Sequence, residues 1–264
     1  MQTPVIRPER FPCDIIPADR DAFFNAVRSV TIDEHKRYNI GTYKEKTLHI
    51  ALKKYFETCE DYHEVPVNGY IADIMRGSEI IEIETGGFSG LKPKLEKYLP
   101  DYKVTLVYPL PAVKYVSWID GATGDISKRS KSTRKTTAYD LLRQMVYILP
   151  FVKDNCLSAV SPLLEIDEYR NLDGWSKNKK RGSTRYDLAP TDIFGLIKLS
   201  DDEDYISLVP DDLDKEFTTP EFAKKIKIGS YDAYAAVKVL EARGVIEKCG
   251  KKGRAAAYRR TFEK

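Results

Sequence analysis

The stretch Tyr70-Ile71-Ala72-Asp73-Ile74-Met75-Arg76-Gly77-Ser78-Glu79-Ile80-Ile81-Glu82-Ile83-Glu84-Thr85 decides the reading of this chain. Residues 70–75 and 79–85 are β-rich runs, and Arg76-Gly77-Ser78 between them is a tight turn, so the segment predicts a hairpin. With the turn centred on Gly77-Ser78, cross-strand partners have residue numbers that sum to 155, which sets Asp73 opposite Glu82 and Ile71 opposite Glu84. Alternation then puts Asp73, Glu82 and Glu84 on one face. Directly opposed side chains have Cβ atoms roughly 5 Å apart, and like charges there destabilise the pair. At that spacing two carboxylates repel by about 0.8 kcal/mol in bulk water and by about 3 kcal/mol at an effective dielectric near 20. An exposed hairpin tolerates this, and an acidic solvent face is the plain reading. A cleft does not tolerate it without a hard divalent cation on the carboxylate oxygens, Mg²⁺ by default or Mn²⁺ in its place. Asp73, a poor strand former set among Ile71, Ile74 and Met75, favours the metal reading, with Asp73, Glu82 and Glu84 as ligands.

Upstream, Tyr43 to Phe56 is helical by pattern, with Leu48, Leu52, Tyr55 and Phe56 as its buried stripe. Glu45 continues that stripe backwards, toward the hairpin. It also fits a capping box in Thr42-Tyr43-Lys44-Glu45, and the two roles need different rotamers. Downstream, Leu91, Leu95, Tyr98 and Leu99 mark a helix after Gly86-Gly87. It carries Lys92 and Lys94, either of which can bring a cation to the acids or remain solvated.

An acid on a first helix, a strand Asp, and nine residues later an acid-x-acid strand followed by a helix resembles the PD-(D/E)XK superfamily of restriction-endonuclease-like nucleases over roughly residues 40 to 110. In that resemblance Glu45 matches the helix acid, Asp73 the strand Asp, and Glu82 the acid of the (D/E)XK element. Glu84 stands where that element has Lys, a departure that some active members share, and Lys92 or Lys94 is the displaced cation. The resemblance implies metal-assisted phosphodiester hydrolysis, with Asp73 and Glu82 holding Mg²⁺ and Glu84 as base or further ligand. The fold expected is α/β or α+β, a restriction-endonuclease-like mixed sheet flanked by helices.

Around this centre, Asp19 to Val30 and Thr136 to Pro150 read as helices, and Tyr102 to Tyr108, Lys114 to Ile119 and Leu157 to Glu168 as strands. Residues 169–188 carry no clear period and stand as a cleft or junction loop. The C-terminus holds a second unit. Thr219-Pro220 opens a helix to Ile226, Lys227-Ile228-Gly229 turns, Ser230 caps a second helix through Arg243, and Gly244 ends it. Val245 to Cys249, Gly250-Lys251-Lys252-Gly253 and Arg254 to Arg260 form a basic hairpin. This resembles a winged helix-turn-helix over roughly 205–262 and divides the chain into residues 1–190 and 191–264. Tyr231, Tyr234 and Lys238 would face a groove while Lys251, Lys252 and Arg254 meet phosphates. Such units also serve protein contact, which keeps a homodimer beside DNA as a partner.

The 264 residues carry a formal charge of only +3, but basic runs at 128–135, 177–185 and 248–260 oppose an acidic 201–216. That distribution favours a nucleic-acid partner. Cys13, Cys59, Cys156 and Cys249 lack zinc or disulfide spacing, and His35, His49 and His63 lack metal spacing and read as structural or surface residues. No apolar run reaches membrane-spanning length and the first fifteen residues lack an apolar signal core, so a cytoplasmic protein without a membrane partner is expected. A regulatory protein that keeps the nuclease fold without its activity is the alternative, as is a protein-interaction scaffold.

Overall fold

The computed structural model describes residues 10–37, 47–175 and 181–262. Glu45, the start of the expected Tyr43 helix and residues 177–180 of the second basic run lie outside them. The fold is α+β, a large mixed sheet flanked by helices.

The hairpin keeps the expected register over the three pairs next to its turn, and the expected partners Asp73–Glu82 and Ile71–Glu84 lie beyond the ladder. Strand β2 (Tyr70–Arg76) pairs antiparallel with β3 (Glu79–Ile83) through Ile74–Ile81, Met75–Ile80 and Arg76–Glu79, and Gly77 takes the left-handed φ of 56° that the turn needs. A further strand, β1 (His63–Val67), joins β2 through Asn68-Gly69, both at positive φ. That dipeptide suits a tight hairpin turn because both central residues must adopt left-handed backbone. Helix α3 (Lys92–Tyr98) carries the chain from β3 to β4 (Lys103–Val107), which lies parallel to β3.

Strand β4 and β5 (Leu110–Asp120) run end to end along one edge of β7 (Leu157–Trp175), while β8 (Arg181–Leu199) covers the other edge antiparallel. The short β6 (Ser130–Lys131) closes the far side of β5. Pro109, with no N–H to give a ladder, marks the break between β4 and β5. The expected strand at 114–119 thus begins earlier, and the region 169–188, read as a loop, supplies both arms of a long hairpin. The expected helix at 136–150 is an α-helix only as α4 (Tyr139–Met145), which continues as a 3₁₀ turn to Phe151.

Helices α1 (Arg20–Arg37) and α2 (Thr47–Phe56) pack Phe23, Leu48 and Leu52 against Ile74, Ile83, Val107 and Leu164. Leu91, Leu95 and Tyr98 belong to a second cluster with Ile80, Leu106, Leu141 and Leu142. Alternation along β3 therefore sends Ile81 and Ile83 to one cluster and Ile80 to the other.

The C-terminal unit follows α5 (Asp202–Ile206) and comprises β9 (Glu216–Thr218), α6 (Thr219–Ile226), α7 (Ser230–Arg243), β10 (Ile246–Lys252) and β11 (Ala255–Arg260), in a sheet of order β10-β11-β9. Two caps differ from the sequence reading. Thr218, one residue earlier than expected, caps α6 in a reciprocal box with Glu221, and Gly229 rather than Ser230 precedes α7 without a side-chain cap. Gly244 does end α7, at φ 95°.

The boundary expected after residue 190 falls inside β8, which pairs with β7 to Leu199, so the chain leaves the large sheet only there. The two parts share a core. Phe222, Val237 and Leu240 lie in one cluster with Leu106, Leu141 and Tyr139, and the Tyr139 hydroxyl donates to the Leu208 carbonyl at 2.9 Å. Arg143 pairs with Asp232 at 2.9 Å. Arg243, its side chain 5% exposed, donates to Asp202 at 2.7 Å and to the Val152 carbonyl at 2.9 Å. Arg243→Ala should therefore cost about 3 kcal/mol, lower the melting temperature by roughly 6–12 °C and keep a single calorimetric transition. Two transitions, with only one displaced, would show that the parts fold separately. Among the described residues, no helix is long and apolar enough to cross a membrane.

Candidate active site

The β2–β3 ladder ends at Ile74–Ile81, and beyond it a side chain takes over the backbone's role. The Asp73 carboxylate accepts the Ile83 N–H at 2.7 Å. From α2, His49 brings Nε2 to 3.4 Å from the same Asp73 oxygen. From α3, Lys94 donates Nζ to Glu82 Oε2 at 2.7 Å and to the Ile71 carbonyl at 3.0 Å. Sheet and both flanking helices thus meet at Asp73, Glu82, His49 and Lys94.

Glu82 is the unusual member. Its side chain is 1% exposed, and its second oxygen, Oε1, is buried without a hydrogen-bond partner. A buried acceptor in that state is costly unless something fills its place. Burial, and then the charge of Asp73, push its pKa up to about 7, against the opposing pull of Lys94. Glu84 is raised too, by burial and by Asp73, with Lys94 and His49 opposing. For Asp73 burial acts upward, but the bond and charge of His49, the Ile83 N–H and the charge of Lys94 outweigh it and hold the carboxyl below its ordinary value. One carboxylate stays ionised while its neighbours hold protons more tightly, a division of acid and base roles typical of reactive clusters.

Of the two candidate lysines, Lys94 alone reaches the acids. Lys92 on α3 is 57% exposed and 3.9 Å from Glu96. His49, read from sequence as structural or surface, sits at the site. His63 instead bonds the Glu57 carbonyl through Nε2 at 2.9 Å. Among the described residues no three His, Cys, Asp or Glu side chains gather as a metal-holding group, and the Lys94 ammonium occupies Glu82 Oε2.

At the other end of the chain, Tyr231 and Tyr234 are 70% and 55% exposed on α7. Lys238 lies near the Tyr234 ring and pairs with Glu241 at 3.2 Å. In the basic hairpin Lys251 and Arg254 are exposed, while Lys252 pairs with Glu221 at 2.6 Å.

Comparison with known proteins finds a relative in Treponema pallidum (strain Nichols), described as an uncharacterized protein, 32% identical over 107 residues. The match covers 40% of this chain and 42% of that relative's length. No solved structure matches. The family model for a domain of unknown function, DUF8091, matches residues 46–200, from just before α2 to just after β8, and so takes in Asp73, Glu82, His49 and Lys94 but not the C-terminal unit. This match spans more than half of the 264 residues, and the chain belongs to the DUF8091 family.

Proposed function

We propose that the chain is a metal-dependent nuclease of the PD-(D/E)XK type, with a C-terminal winged helix-turn-helix that binds DNA. The observation that carries this reading is Glu82, buried beside Asp73 with one oxygen unpartnered and the other held by a lysine. A hard cation matches what that oxygen lacks, and the carboxylates of Asp73 and Glu82, joined by Glu84, are its natural donors. Bound there, Mg²⁺ or Mn²⁺ would supply polarisation of the phosphate and a water of lowered pKa.

The chain's own groups then have separable roles. Lys94 offsets charge on a substrate phosphate or releases Glu82 to bind. Glu84, its pKa raised by burial and by Asp73, accepts a proton. His49 positions the Asp73 carboxylate. The test is incubation of the purified chain with DNA and RNA substrates in Mg²⁺, Mn²⁺ or chelator. Cleavage that requires the divalent ion and is lost in Asp73→Asn supports the reading, whereas cleavage indifferent to both overturns it.

The Lys94–Glu82 ion pair and the Glu at the motif's Lys position favour one second reading, a nucleic-acid-binding protein without catalysis. In either case the basic hairpin is expected to contact phosphates. Neutralising Lys251, Lys252 and Arg254 together should make the slope of log affinity against log salt shallower by roughly 2.7 on duplex DNA, about 0.9 for each phosphate no longer neutralised. Because Lys252 is already paired with Glu221, a smaller change of about 1.8 would assign two of the three to DNA. An unchanged slope with loss of self-association would make the unit a dimerisation module.

A further inference from the structure

A cleft of about 130 Å³ has Leu48 and Thr85 in its wall, the chain neighbours of His49 and Glu84, which sets it beside the acidic cluster. Four cations line it, Lys114, Arg134, Arg143 and Arg185, against two carboxylates. Those carboxylates hold the cations in place. Glu168, 1% exposed, takes Lys114 at 2.7 Å and Arg185 at 3.7 Å. Asp140 takes Arg134 at 2.9 Å and Arg143 at 2.8 Å. Arg134 meets Asp140 through a single nitrogen and its side chain remains 59% exposed, so most of its five donors are left for a ligand. Planar guanidinium forks suit phosphate oxygens.

The remaining wall is aromatic and apolar. Tyr108, Pro109, Leu110 and Pro111 line it, and the Tyr108 ring is braced edge to face by Phe88 at 5.7 Å. Tyr108 lines the same cleft as Arg134, Arg143 and Arg185. The lining then selects the ligand. Cations beside an aromatic face are what an unpaired strand requires, with phosphates on the former and a base stacked on the latter.

We propose that this cleft captures an unpaired nucleic-acid strand, with phosphates on Arg134, Arg143, Arg185 and Lys114 and a base against Tyr108, and so directs single-stranded substrate to the acidic cluster. The proposal rests on the nuclease reading only for what happens to the strand afterwards.

Binding of the full chain to a short labelled single-stranded oligodeoxynucleotide and to a blunt duplex of the same sequence, both in EDTA, tests it without chemistry. The double variant Arg134→Gln/Arg185→Gln leaves Asp140 with Arg143 and Glu168 with Lys114, so no buried carboxylate loses every cation. It should bind the single strand at least tenfold more weakly, with a salt slope shallower by about 1.4, at 0.7 for each phosphate no longer neutralised. Duplex binding should change less, and Arg134→Lys/Arg185→Lys should keep the slope. If the glutamine variant fails to fold, Tyr108→Leu decides, by weakening the single strand selectively with its salt slope unchanged. Equal effects on single strand and duplex, or none, overturn the proposal. Selective strand capture without cleavage in Mg²⁺ sustains it and overturns the nuclease reading alone.

Discussion

Glu82→Gln should reduce divalent-dependent cleavage at least 10³-fold in kcat/KM, a loss of about 4 kcal/mol of transition-state stabilisation. The substitution keeps the shape of the side chain and its bond to Lys94 while removing the anion, so what is lost is the charge that would hold a cation. Asp73 and Glu84 remain, but Asp73 Oδ2 already accepts the Ile83 N–H and faces His49, and the unpartnered oxygen of Glu82 is the one the cation would fill. Glu84→Gln should cost less and should act on the pH profile. Burial and Asp73 raise its pKa, so a wild-type rate that depends on Glu84 as base climbs with pH through that raised value, and the variant loses the climb. Turnover is followed on a labelled oligonucleotide, with Asp73→Asn prepared in parallel to exclude a contaminating nuclease. Equal cleavage by all three variants and wild type would remove the cluster from the chemistry.

Much of this site was legible because its elements obey short-range rules. The hairpin register follows from one turn and from alternation, and the structure keeps the sum of 155 at each of its ladder pairs. The C-terminal helices are framed by Pro220 and Gly244, whose backbone preferences hold in any context. What sequence missed depends on long-range pairing. In β7 and β8 the period-two pattern is interrupted by register shifts between Leu163 and Leu164, Glu165 and Ile166, Tyr169 and Arg170, and Leu172 and Gly174, which disguise one long hairpin as loop. The strand β1 is five residues with Pro66 inside it, short enough to escape a pattern, although Asn68-Gly69 is the turn signal that marks it. Helical phase does not choose between the lysines, since Lys94 is three residues after Leu91 and four before Tyr98 while Lys92 is three before Leu95 and seven before Leu99. Nor could His49 be placed, because a single histidine on an amphipathic helix does not announce which carboxylate it will meet. The shared core escaped for a related reason. An apolar stripe on α7 shows that Val237 and Leu240 are buried but not that Leu141 and Tyr139 bury them.

The buried carboxylate also makes stability depend on pH in a direction opposite to that of ordinary salt-bridged acids. Glu82 has an ordinary value of 4.5 and holds its proton to about 7 when folded, so between those values the native state binds more protons than the unfolded chain. Stability from this group is therefore full below about pH 4.5 and is lost as pH rises through 7. Fully expressed, the shift corresponds to about 3 kcal/mol, at 1.36 kcal/mol per pKa unit. Glu84, also raised, contributes in the same direction, whereas Asp73, held low, contributes stability that disappears only as pH falls through its depressed value, outside this window. Glutamine at position 82 mimics the protonated acid at every pH. In EDTA, Glu82→Gln should thus match wild type near pH 4 and exceed it at pH 8 by up to about 3 kcal/mol, or roughly 6–12 °C in melting temperature. Added Mg²⁺ should close the gap by stabilising wild type alone, since a cation that binds only the folded state raises stability by mass action. Melting curves of the two proteins across this pH range decide the matter. A gap that stays constant from pH 4 to 8 would show that Glu82 is better solvated than its 1% exposure implies, and an equal Mg²⁺ effect on both would place the cation elsewhere.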